Sequence, residues 1–176
     1  TLFASPFEDI SSEEYEQMVH DSFPNQYEDV LDQYPVDDFD EPWKALAAII
    51  GDVGFVCPTR AAARAHTRAG QPVYTYYYTH ETAVGEWFNW GAFHGSDLSF
   101  VFGNFGSLQT TAAEERLSAA MQTYWTQFAA TGEPGEFDGV DWPVYDTSED
   151  EGLEFVADEL GTIADFRSEY CDFWRR

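Results

Sequence analysis

Thirty-three aspartates and glutamates stand against eight lysines and arginines in this 176-residue chain, a formal net charge of -25. Any fold must hold that charge in water, because self-repulsion on this scale works against a compact state and is relieved by screening counterions. The opposing pull comes from a hydrophobic content of 44%, with 6 Trp, 10 Tyr and 15 Phe. That is ample apolar surface to bury and marks a folded part rather than a free tail. The length permits one domain. A nucleic-acid partner is improbable, since phosphates need cationic groups to neutralise them and Lys44 is the single lysine. No basic-plus-apolar leader and no uninterrupted apolar run near the ~18 residues of a membrane span are visible, so no membrane span is expected. The acidity suits salty surroundings; the sharper alternative is a field that draws cationic substrates toward a site.

Along the chain, capping and periodicity predict helices separated by acidic connections. Ser11-Ser12-Glu13-Glu14 offers a capping box ahead of Tyr15, Met18 and Val19, and Asn25 starts a second helix that Pro35 stops. Asp40-Glu41-Pro42 begins a third, carrying Trp43, Leu46, Ala47 and Ile50 and ended by Gly51. An alanine-rich fourth covers Thr59 to Ala69. Gln71 to Thr79 is a β-branched and aromatic run that reads as a buried strand. The clearest helix spans about Thr111 to Ala130, with a Thr111-x-x-Glu114 capping box and Gly132 and Pro134 as its stop. Gly132 to Gly152 reads as an irregular surface connection. Two short strands follow near Leu153–Ala157 and Thr162–Ala164, then a last amphipathic helix with Tyr170, Cys171 and Trp174. No internal repeat and no domain linker are visible.

Gly91-Ala-Phe-His-Gly-Ser-Asp-Leu-Ser-Phe-Val-Phe-Gly-Asn104 places a histidine, His94, in a glycine-flanked turn between aromatic and apolar residues. An imidazole there can take a proton from a hydroxyl nucleophile and return it to a leaving group. Such a base needs a nucleophile and an orienting carboxylate, and no G-x-S-x-G elbow occurs in the chain. His20 and His66 sit among helical residues with no partner at ligand spacing, and His80-Glu81 reads as a local pair or an entrance contact. No close-spaced tetrahedral or EF-hand pattern and no phosphate or dinucleotide cradle is present, so neither a metal nor another cofactor is expected.

The run His-Gly-Ser-Asp-Leu-Ser-Phe-Val-Phe-Gly from His94 resembles the catalytic-histidine segment of the type-B carboxylesterase and cholinesterase family. Further matches follow in the family's order. Gly51-Asp52 and Phe55-Val56-Cys57-Pro58 precede Val73-Tyr74-Thr75-Tyr76. Downstream come Tyr124-Trp125-Thr126-Gln127-Phe128-Ala129 with Thr131-Gly132-Glu133-Pro134, then Trp142-Pro143-Val144-Tyr145, then Tyr170-Cys171-Asp172-Phe173-Trp174. The resemblance covers nearly the whole chain.

It implies an α/β class, specifically the C-terminal part of a single α/β-hydrolase domain over residues 1–176, with helices around the end of a mixed, mostly parallel sheet. It also implies that His94 is the catalytic histidine of a Ser-His-Glu/Asp triad whose serine and acid lie upstream. Thr1-Leu2-Phe3 is similar to the residues just after the family's acid-bearing turn. Asp97 is assigned a supporting role as a hydrogen-bond acceptor that orients the loop, and Trp90 and Phe93 either line the substrate pocket or pack the histidine in place.

Cys57 and Cys171 are too far apart for a CxxC motif; cysteines at these two matched positions form a disulfide in the family, the other reading being two buried thiols. A bridge implies an oxidising compartment, hence a secreted or periplasmic protein. The expected partners are the N-terminal portion of the same esterase and a small-molecule or polymeric ester. The rival function is a non-catalytic adhesion or binding protein on the same fold.

Overall fold

The structure, a computed structural model, describes residues 9–175; the match at Thr1-Leu2-Phe3 lies outside the described residues. In chain order the helices and strands are α1 (Ser12–Ser22), α2 (Tyr27–Gln33), α3 (Pro42–Gly51), α4 (Cys57–Arg68), β1 (Tyr76–Tyr78), α5 (Ala83–Trp87) and α6 (Leu98–Val101). They continue with α7 (Ala112–Thr131), β2 (Glu136–Phe137), β3 (Val140–Asp141), β4 (Glu151–Phe155), β5 (Gly161–Ala164) and α8 (Ser168–Phe173). The described residues form two compact units: one is residues 9–61 together with residues 167–175, the other runs from Ala62 to Phe166.

In the first unit, α1 opens on the expected capping box: Ser11 Oγ accepts from the Glu14 N–H at 3.2 Å and Glu14 returns the bond to the Ser11 N–H at 2.8 Å. Helix α2 is entered at Gln26, with no side-chain cap, rather than at Asn25. Tyr15, Val19, Val30, Tyr34, Ala45, Leu46 and Ile49 form the core, with Tyr170, Phe173 and Trp174 packed against them. Gly51 does not end the third helix. It keeps helical angles, φ -61° and ψ -48°, and the chain runs through a π-helical turn, Asp52–Val56, directly into α4. A glycine inside a helix costs about 1 kcal/mol against alanine; here Asp52 follows, buried and ion-paired with Arg167, and it holds the continuation in place.

The resulting run Pro42–Arg68, 27 residues, is by length and composition apolar enough to cross a membrane, although Lys44 and Asp52 interrupt its apolar stretch. Its Trp43, Ala45, Leu46, Ala47 and Ile49 are buried within the protein, which is how a core helix behaves. Cys57, at the start of α4, is bridged to Cys171 in α8 with Cα atoms 5.1 Å apart.

The second unit is built on a three-stranded mixed sheet in the order β1-β4-β5, with β1 parallel and β5 antiparallel to β4. The predicted strand 71–79 shortens to Tyr76–Tyr78. Before it, Val73 O accepts from the Tyr145 N–H at 2.8 Å, away from the sheet, whereas Thr75 O accepts from the Leu153 N–H of β4 at 3.0 Å and also from Trp142 Nε1 at 2.9 Å.

Helix α7 lies against the sheet through Leu117, Ala120, Met121 and Tyr124, which share a core with Phe100, Trp142, Leu153 and Phe155. Both of its ends match expectation: the Thr111–Glu114 box is formed, and Gly132 closes the helix at φ +83°. The stretch 132–152 is not merely a surface connection. It contains the β2–β3 hairpin and buries Trp142, Tyr145 and Asp150, the last paired to Arg64 at 3.1 Å.

Candidate active site

The connection that leads to the His94 turn begins where β1 leaves the sheet. Side chains two apart on a strand share a face, and Tyr76 and Tyr78 both reach toward this turn. Tyr76 Oη donates to Asp97 Oδ2 at 3.4 Å, and its ring is wedged edge-on by Trp125, Phe155 and Trp142 at 5.1, 5.8 and 6.0 Å. Burial first, and the Asp97 carboxylate second, raise the Tyr76 phenol above its ordinary value.

The Tyr78 oxygen is buried and makes no hydrogen bond of good geometry. Burial pushes this phenol well up, the nearby Ser96 hydroxyl opposes the shift, and the charges of Asp97 and Glu114 add to it.

Between β1 and His94 the chain makes α5, capped by Thr82, whose Oγ1 accepts from the Gly85 N–H at 3.2 Å. Gly85 meets the His94 segment backbone to backbone. Trp90 N–H donates to Gly85 O at 2.7 Å, and a Cβ on Gly85 would collide with the Gly91 carbonyl oxygen. Phe88 stacks on Trp90 at 4.7 Å and Trp90 meets Phe93 edge-on at 5.5 Å, so the two pocket candidates belong to one aromatic ladder leading to the histidine.

His94 itself is exposed. It occupies a turn closed by the Ser96 N–H donating to Phe93 O at 3.1 Å, with Gly95 at φ +82°. That angle at the third turn position favours glycine, which is the local reason for the His-Gly pair. Ser96, buried, spends its hydroxyl on Phe93 O at 2.6 Å. Asp97 then starts α6, its carbonyl accepting from the N–H groups of Phe100 and Val101 at 3.0 Å. The Asp97 carboxylate accepts its side-chain hydrogen bond from Tyr76.

The remaining histidines divide. His20 and His66 are exposed, His20 lying 3.5 Å from Asp21. His80 pairs not with Glu81 but with Glu114, Nε2 to Oε1 at 3.2 Å; adjacent residues leaving a strand diverge, whereas the first turn of α7 faces the ring. Among the described residues no three His, Cys, Asp or Glu converge as a metal would require.

These features can be set beside known proteins. Residues 5–174 match the carboxylesterase family, and the chain belongs to that family. It is 36% identical over 134 residues to an acetylcholinesterase of Leptinotarsa decemlineata, a match covering 74% of this chain and 21% of that protein. An acetylcholinesterase of Bungarus fasciatus is 34% identical over 155 residues, 85% of this chain and 25% of its own length. One from Gallus gallus is 35% identical over 151 residues, with shares of 79% and 19%. The chain therefore spans a fifth to a quarter of the length of these relatives. The family carries the α/β-hydrolase fold, and the mixed sheet with its flanking helices is consistent with the C-terminal part of one.

Proposed function

We propose that the intact protein is a serine carboxylesterase and that this chain is the C-terminal part of its single α/β-hydrolase domain, contributing His94 as proton carrier. The observation that carries the reading is His94 on a Gly95 turn one connection beyond β1, in a chain that belongs to the carboxylesterase family. Open α/β sheets bind ligands beyond the carboxyl ends of their strands. An upstream serine attacks the ester carbonyl while the His94 ring accepts its proton, and an upstream carboxylate stabilises the imidazolium. The ring then protonates the departing alcohol. In the second half it takes a proton from water as that water attacks the acyl-enzyme, and returns it to the serine as the acid leaves. Asp97, held by Tyr76, steadies the turn; Trp90 and Phe93 face the substrate. The chain alone, without the upstream serine, is inactive.

The Cys57–Cys171 bridge supports an oxidising location, secreted or periplasmic. The test is hydrolysis of a p-nitrophenyl acyl ester by the intact protein. His94→Ala lowers kcat on the order of 10⁴-fold or more; a drop below about tenfold means that another base does the work. An intact protein with no turnover at all favours the adhesion or binding reading.

A further inference from the structure

Away from the turn itself, His80 and Glu114 form a pair whose side chains are only 12% and 13% exposed. Each is fixed by a different element. His80 follows β1, and its N–H donates to Phe155 O at 3.2 Å, so the strand pairing sets where the ring starts. Glu114 is the third residue of α7, where one carboxylate oxygen accepts from the Thr111 N–H at 2.7 Å. A capping box needs only one oxygen of its glutamate, for the N-cap N–H. Here the other oxygen faces the His80 ring. Burial pushes the Glu114 carboxyl up, but the Thr111 backbone, His80 and the Thr111 hydroxyl together hold it below its ordinary value.

Phe100 joins this pair to the His94 turn. Its ring, 1% exposed, meets His80 at 5.4 Å and Tyr78 at 5.7 Å. Its carbonyl accepts from Ser118 Oγ of α7 at 2.8 Å, and its N–H closes onto Asp97 O at 3.0 Å. The segment from His94 to Phe100 is thus clasped at its far end between His80 and the helix that Glu114 anchors.

We propose that His80 and Glu114 are positioning residues for His94: the imidazole–carboxylate pair locks α7 to the end of β1 and so fixes the seat of Phe100 on which the histidine turn rests. The inference rests on His94 being the base. A misplacement of about 1 Å costs on the order of a hundredfold in rate, so a loosened seat reads out in turnover before it reads out in binding.

The experiment uses the intact esterase and a p-nitrophenyl ester, with His80→Phe, His80→Gln, Glu114→Gln and His94→Ala compared side by side. His80→Phe keeps a ring against Phe100 but cannot donate to Glu114; it lowers kcat about ten- to a hundredfold with KM within about twofold. His80→Gln returns an N–H to the same region and recovers most of that loss, which a merely space-filling role would not produce. Unchanged kcat in His80→Phe, with His94→Ala inactive, overturns the positioning role and leaves the base assignment standing. Equal losses in the Phe and Gln variants also overturn it. Should His80→Phe fail to fold, Glu114→Gln carries the same kcat-against-KM reading, and an unaltered kcat there sinks the proposal. A fully active His94→Ala enzyme removes the base assignment and this inference together.

Discussion

Asp52 is a carboxylate 1% exposed to solvent, and its cost is met by several donors at once. Arg167 Nε donates to Oδ1 at 2.5 Å and Nη2 to Oδ2, while Tyr34 Oη donates to Oδ2 at 2.8 Å. Trp174 Nε1 in turn donates to Tyr34 Oη at 2.7 Å, and the Arg167 guanidinium lies over the Tyr170 ring at 4.0 Å. Burial lowers the guanidinium pKa, but Asp52, with Tyr34 and Tyr170, outweighs it and the net shift is upward. Replacing Arg167 by Met strands a buried charge, and urea midpoints on the intact protein are expected to show a loss of about 3–5 kcal/mol. Arg167→Lys, which keeps the charge but not the two-pronged geometry, falls between. None of this partnership was readable beforehand: the sequence placed Gly51-Asp52 in a family motif, but nothing in the spacing of Asp52 and Arg167, 115 positions apart, marks them as partners. The same holds at the site. His94 announced itself through its glycine neighbours, whereas His80 lies 34 positions from Glu114 and its adjacent Glu81 was the more visible partner.

Helix α7 was legible at both ends because its signals are local: a threonine and a glutamate three apart, then a glycine in the left-handed region. Thr111→Ala removes the acceptor for the Glu114 N–H and is expected to cost about 1 kcal/mol. Hydrogen exchange at the amides of Glu114 and Glu115 would accelerate, and unchanged protection would show that Glu114 and His80 cap the helix unaided. Other elements defied local signals. Gly51 looked like a stop, yet its helical angles persist because Asp52 beyond it is anchored by Arg167. The β2–β3 hairpin turns at Asp138-Gly139, which at φ +52° and +84° is a recognised hairpin turn between Phe137 and Val140, inside a stretch whose glycines, proline and aspartates read as irregular. Its strands are two residues each, too short for alternation to register. The strand expected from Gln71 is shorter because Val73 gives its carbonyl to Tyr145 and only from Thr75, whose carbonyl takes the Leu153 N–H as well as Trp142 Nε1, does the chain join β4.

At the scale of the molecule, 33 carboxylates and eight basic side chains leave a net charge of -25 that no arrangement of ion pairs can cancel. Among the described residues, two of the pairs hold almost fully buried carboxylates, Arg64 on Asp150 and Arg167 on Asp52, while those of Lys44, Arg116 and Arg175 lie on exposed carboxylates. Repulsion among the remainder weakens as the screening length falls from ~10 Å at 0.1 M salt to ~3 Å at 1 M. Amide exchange in α1, α2 and α7 of the intact protein is therefore expected to slow between about 0.1 M and 1 M KCl; exchange indifferent to salt would mean that the carboxylates are too well hydrated to strain the fold.

The bridge between Cys57 and Cys171 has a different consequence. Its sulfurs enclose a loop whose ends are 114 positions apart, and the whole histidine-bearing turn lies within that loop. A protease that nicks the loop opens the backbone without freeing either piece, so a cut molecule keeps both halves tethered until a reductant arrives.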